Sequence, residues 1–117
     1  MKYVAVIGTG IMASGIAAGF IAKSIPVVIL GRNKEKSDAC LSKAIALAEK
    51  IGLSGENSKK QSSEIFSTQT TEVLEAWKNW DDCEWVIETI AENLALKQAI
   101  FKHLDEVVPA HIPIGSN

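Results

Sequence analysis

The chain of 117 residues predicts an α/β fold, a three-layer, doubly wound parallel β-sheet with helices on both faces. Three observations carry that prediction. Short apolar runs rich in Val and Ile alternate with longer stretches of helical periodicity, which is the pattern of repeated strand–helix–strand units. The first apolar run stops on the glycine-rich turn Gly8-Thr9-Gly10, which opens directly into a helical segment. One convincing loop interrupts the alternation, so the strand connections are helical crossovers, right-handed by the usual rule.

Tyr3 to Ile7 is apolar and rich in β-branched residues and is halted by Gly8, the signature of a strand buried on both faces. Ile11 to Ala22 is small or apolar, with Ile16, Phe20 and Ile21 at helical spacing, and reads as a helix packed on the sheet. Pro26 to Leu30 is a second buried strand. Residues 34–51 form a long amphipathic helix whose apolar face runs through Ala39, Leu41, Ala44, Ile45, Leu47, Ala48 and Ile51. Gly52 to Ser63 is the loop. Glu64 to Thr70 reads as a short strand, and Glu72 to Trp80 as a short helix capped by Thr70 or Thr71. Glu84 to Ile90 is the fourth strand. Leu94 to Val108 is a helix with Leu96, Ala99, Ile100, Leu104 and Val107 on one side, and Ile112 opens a fifth strand.

The composition narrows the function classes. With a net charge of -2 and no basic stripe, nothing points to nucleic acid; Lys59-Lys60 lies in a Ser/Asn/Gln-rich stretch and reads as solvated loop. No run approaches the ~18 apolar residues of a membrane span, and Tyr3 to Ile7 is too short for a signal-peptide core. A cytoplasmic protein is expected. Cys40 and Cys83 have neither metal-ligand nor CxxC spacing and read as small buried side chains, so no metal is expected. His103 and His111 read as structural. Trp77, Trp80 and Trp85 read as core and edge packing.

In a parallel sheet of this kind ligands bind beyond the carboxyl ends of the strands, where the strand order reverses. Residues 8–13, 31–33, 88–93 and 115–117 all fall there. Gly8 permits a tight turn, and Gly10 lets the backbone approach a pyrophosphate seated on the positive end of the helix. Gly8, Thr9, Gly10, Ile11, Met12 and Ala13 are therefore the candidate phosphate-binding turn of a Rossmann-type unit, with Ala13 in the place of its third glycine.

Three segments together resemble the N-terminal domain of the 3-hydroxyacyl-CoA dehydrogenases. "VAVIGTGIMASGIA" (4–17) is similar to that family's G-x-G-x-M-G-x-G-I-A. "VIETIAENLALKQAIFKHLDEVVP" (86–109) is similar to its V-I-E-x-x-x-E-N-x-x-x-K-x-x-x-F-x-x-L-D, and Ser116-Asn117 looks like the start of its S-N-T-S signature. The resemblance implies an NAD-binding domain spanning 1–117, truncated at its C-terminal end. A second, helical domain completes the substrate site and dimerises the parent protein. The implied reaction is reversible hydride transfer between a 3-hydroxyacyl thioester and nicotinamide. The family's catalytic Ser would fall two residues past Asn117, and its His and Glu further on. This chain is therefore expected to hold no catalytic residue and to be inactive alone. By the same resemblance Glu92 and Lys97, with Ala91 beside them, lie near the nicotinamide-side ribose and the CoA, and Asn117 lies near the nicotinamide and the reacting centre. Acyl-CoA is the implied substrate; the family touches it from the long second helix, where this chain offers Ser42 and Lys43. Alternatives are a β-hydroxyacid dehydrogenase domain, which lacks the "ENLALKQAIF" segment, and a stand-alone nucleotide-binding module.

The chain departs from that pattern at the end of the second strand. About twenty residues after the glycine turn, an Asp or Glu ordinarily holds the adenosine ribose of NAD and repels a 2′-phosphate. Here the stretch reads Gly31-Arg32-Asn33. A glycine removes the repulsion, the Arg32 guanidinium can take a phosphate bidentately, and Asn33 adds a donor. The cofactor expected is thus NAD(P), with NADP favoured over NAD.

Overall fold

A computed structural model describes residues 2–52, 70–90 and 94–116. Five parallel strands form one sheet: β1 (Tyr3–Ile7), β2 (Val27–Gly31), β3 (Thr70–Val73), β4 (Cys83–Glu88) and β5 (Ile114–Ser116), in the order β3-β2-β1-β4-β5. Helices α1 (Ile11–Ala22) and α2 (Lys34–Gly52) pack on one face, and α3 (Leu94–Val107) covers the other. This is the three-layer, doubly wound arrangement, and its strand order reverses between β1 and β4.

Even in strands buried on both faces, the period of two decides which core a side chain joins. Tyr3, Ala5 and Ile7 of β1, with Val28 and Leu30 of β2, meet Ile100 and Leu104 of α3. Val6, Val27 and Ile29 point the other way, onto Ala13, Ala17, Ala18 and Ile21 of α1 and Cys40, Ala44 and Ala48 of α2. Alanines on α1 and α2 let both helices sit close to the sheet and to one another. The buried stripe of α2 is narrower than its composition suggests. Leu47 and Ile51 remain 40% and 53% exposed, while Ser37 and Cys40 are buried in their stead.

Two expectations change between residues 70 and 80. No helix spans Glu72 to Trp80. Glu72 and Val73 belong to β3, where they pair with Leu30 and Gly31 of β2, and only a single 3₁₀ turn, Leu74–Ala76, follows. Thr71 caps nothing; its hydroxyl donates to Asp38 and accepts from Lys34, tying the edge strand to the start of α2. The strand expected at 64–70 is described only at Thr70, and the loop only at Gly52. The second strand ends one residue later than its apolar run, so Gly31 is a strand residue. Both cysteines are buried free thiols, Trp77 and Trp80 pack on the α3-side core, and Trp85, on β4 within the sheet, is partly exposed and meets Phe20 edge to face.

Candidate functional site

The register sets the site. Glu72, Leu30, Ile7, Glu88 and Ser116 stand in one row across the sheet, and beyond it Gly31 and Val73 form the last pair of β2 and β3. Gly8 continues β1 in that outer row, with its N–H donating to Leu30 O (2.9 Å). Thr89 continues β4, with its N–H donating to Ile7 O (2.9 Å) and its hydroxyl to the same oxygen (2.8 Å). Above this rim lies a groove of about 1000 Å³. Its floor is Ile7 to Gly10, Leu30 and Gly31. Its walls are Arg32 and Lys36 on one side, Val73 to Glu75 at the β3 end, and Thr89, Ile90 and the α3 stripe Leu96, Ala99, Ile100, His103 opposite.

The glycine turn is built as a backbone cradle. Gly8 has φ +119°, which L side chains rarely adopt, and a β-carbon there would overlap the Thr89 hydroxyl. Gly10 has open space where its side chain would be, and serves as N-cap of α1 without a side-chain cap. No acidic residue sits in the first turn of α1. The positive end of that helix therefore faces the groove uncompensated, which suits an anion. Ile11 and Met12 are exposed, 86% and 55%, whereas Ala13 is buried against the sheet. The helix α2 contrasts with α1, for Asn33 Oδ1 accepts from the Lys36 amide (2.8 Å) and caps it.

Several candidate residues thus have defined places. Gly8, Thr9, Gly10, Gly31 and Arg32 line the groove together. Asn33 lies beside them, with its side-chain oxygen committed to the α2 cap. Lys97 points elsewhere. Its Nζ is 3.5 Å from Glu88 Oε2 and 3.4 Å from Ser116 Oγ, and Ser116 donates to the same carboxylate oxygen at 2.8 Å. Glu88 is completely buried, and its other oxygen accepts from the Ile90 amide. It is the anchor of the β4 and β5 ends and more than a carboxylate bonded to backbone alone. Ala91, Glu92 and Asn117 lie outside the described residues. Among the described residues no cluster of three His, Cys, Asp or Glu could hold a metal ion, and no helix is long and apolar enough to cross a membrane.

Sequence reasoning missed Lys36 and Thr89 as groove residues, and His103, read as structural, also lines the groove. Lys36 carried a faint signal, one helical turn beyond Arg32 on the same rim. His103 had one too, lying three and seven residues after Ile100 and Leu96; its Nε2 is buried without a partner among the described residues. Thr89 had none, because its role depends on a contact between β4 and β1.

Residues 3–117 match the family model described as "3-hydroxyacyl-CoA dehydrogenase, NAD binding domain". The chain belongs to the 3-hydroxyacyl-CoA dehydrogenase family. It is 32% identical over 120 residues to the peroxisomal fatty acid beta-oxidation multifunctional protein MFP2 of Arabidopsis thaliana, covering all of this chain and 16% of that protein. It is 32% identical over 123 residues to a probable 3-hydroxybutyryl-CoA dehydrogenase of Bacillus subtilis, covering 100% of this chain and 40% of the relative. The family's fold recurs in the crystal structure of (S)-3-hydroxybutyryl-CoA dehydrogenase PaaH1 from Ralstonia eutropha, with a TM-score of 0.84 at 20% identity, over 100% of this chain and 41% of that one. The chain therefore spans less than half the length of these dehydrogenase-family relatives. The Rossmann-type fold and the family resemblance both stand.

Proposed function

We propose that this chain is the dinucleotide-binding part of a 3-hydroxyacyl-CoA dehydrogenase-like oxidoreductase, and that its groove favours NADP(H) over NAD(H). The observation that carries the reading is the rim of β2. Gly31 stands where a carboxylate would hold the adenosine ribose, and Arg32 and Lys36 line the groove beside it. A strand end that carries no acid of its own and is flanked by two cations suits a 2′-phosphate, with the guanidinium as planar fork and the ammonium as point charge, while Glu75 stands at the β3 end of the groove. The backbone at Gly8 to Gly10 and the uncapped start of α1 would take the pyrophosphate, and Ala13 lets that helix pack close to β1. Ile11 and Met12 would border the nicotinamide half. The nicotinamide supplies the hydride acceptor and donor.

The substrate class, a 3-hydroxyacyl thioester, is taken from what the relatives' names say they act on. The chain by itself is proposed to bind dinucleotide without turnover. The chain covers 16% and 40% of two such relatives, too little of either to hold its whole machinery. Fluorescence titration of the chain with NADPH and with NADH tests the cofactor reading. NADPH should bind more tightly, and Arg32→Ala should weaken NADPH by about 10- to 100-fold while leaving NADH nearly unchanged, the scale of a charged hydrogen-bond pair. Tighter NADH binding, or an R32A variant with unaltered NADPH affinity, would refute it.

A further inference from the structure

Gly31 is not required by its backbone conformation; among the described residues Gly8 alone is a glycine of positive φ. Space requires it. A β-carbon at position 31 would lie 2.5 Å from Thr9 Cγ2 and 2.8 Å from Ser37 Oγ, both inside van der Waals contact. Ser37 is fully buried, and its hydroxyl is shared between the carbonyl oxygens of Asn33 (3.2 Å) and Glu72 (3.1 Å). Turning it aside gives up the link between the first turn of α2 and β3. Thr9 comes from the other direction, out of the turn between β1 and α1, and places its methyl over the end of β2. Two short side chains from two separate elements thus occupy the volume that any side chain at position 31 must enter.

We infer that Thr9 and Ser37 are specificity-determining residues for the adenosine-ribose end of the groove. By filling that volume they exclude a carboxylate from the end of β2 itself, leaving Arg32 and Lys36 as the charged groups beside it and Glu75 at the β3 end of the groove. This rests on the dinucleotide reading above, but its packing half stands independently of any ligand. Cofactor preference is then set by three positions acting together, and Gly31→Asp alone does not build an NAD site. The carboxylate is accepted only when room is made at 9 and 37.

The test compares the parent chain with G31D, T9A/S37A and T9A/S37A/G31D, measuring thermal unfolding and the affinities for NADH and NADPH in each. G31D alone should lower Tm by about 8–15 °C, the scale of an overpacked buried site in a domain of this size, and should not prefer NADH. Introduced into the T9A/S37A background, the same aspartate should cost less than half that shift. It should also move the NADH-to-NADPH affinity ratio at least about tenfold toward NADH relative to T9A/S37A, the scale of one charge-assisted ribose contact. A G31D chain as stable as the parent, or one that gains the NADH preference of the triple variant unaided, overturns the inference while leaving the dinucleotide reading intact. Failure of the parent to bind either dinucleotide overturns the functional reading itself, and the inference with it.

Discussion

Gly8→Ala is the most economical perturbation of the site, because one methyl tests the turn and its neighbour together. Two costs arise. Alanine must adopt φ near +119°, a region that costs on the order of 1–3 kcal/mol for a residue with a side chain. The new β-carbon also overlaps the hydroxyl of Thr89, which sits against the β1 end by donating to Ile7 O at 2.8 Å. Relief requires Thr89 to rotate and give up that bond, about 1 kcal/mol, or the β1–β4 ends to part, about 1–3 kcal/mol of overpacking. The sum is about 2–6 kcal/mol, a large share of the roughly 6–18 kcal/mol a domain of this size commands. Urea unfolding should show it directly, and Tm should fall by about 8–24 °C.

A double-mutant cycle separates the two costs. Thr89→Ala alone loses the bond to Ile7, about 1 kcal/mol. In G8A/T89A the β-carbon has room, the overlap vanishes, and the strain of φ remains. The double variant should therefore be about 1–2 kcal/mol more stable than the sum of the single losses predicts. Additivity within about 0.5 kcal/mol would mean that Thr89 does not constrain the turn, and a G8A loss below about 1 kcal/mol would refute the strained-turn argument altogether.

Two further outcomes follow from buried groups. Burial pushes the Tyr3 phenol well above its usual range, against a smaller opposing effect of the hydrogen bond from Trp77. A folded-state pKa raised above the unfolded value of about 10 means stability is fully present below pH 10 and is lost as pH climbs beyond it. Tyr3 is the single tyrosine, so phenolate absorbance at alkaline pH reads it alone. Its ionisation should coincide with unfolding, and Tyr3→Phe should remove that part of the alkaline loss; an ordinary titration near pH 10 in the folded chain would refute the burial argument. At the other rim, Glu88→Ala leaves Ser116, the Ile90 amide and Lys97 without their shared acceptor, at a cost of about 2–4 kcal/mol in urea unfolding. Lys97→Met should cost less, about 1 kcal/mol, because the side chain of Lys97 is 26% exposed and partly screened by water. Equal losses for the two would refute Glu88 as the anchor.

The legibility of this chain in its sequence followed the range of the interactions involved. β1, β2 and the glycine turn could be read because a strand buried on both faces admits no polar residue, and because Gly8 and Gly10 interrupt the apolar run at its end. The stretch at 70–80 could not. Thr71 and Glu72 have the composition of a helix start, and four residues are too few for periodicity to speak. β3 exists because its backbone pairs with β2 and because Asp38 and Lys34, more than thirty residues away, satisfy Thr71. Tertiary pairing overrode local propensity there.

The same division runs through the site. Lys97 follows the family pattern in sequence, yet its ammonium lies toward Glu88 and Ser116, a partnership visible only once β4, α3 and β5 are brought together. Gly31-Arg32-Asn33 was legible as a missing acid, and that alone raises the question of cofactor. Its cause was not, since Thr9 lies 22 positions before Gly31 and Ser37 lies on the next helix. Read from sequence, Gly31 is a substitution that could revert in one step. In the folded chain it is the residue that two neighbours have already made room for nothing else to replace, so a change of cofactor preference must begin at positions 9 and 37 rather than at 31.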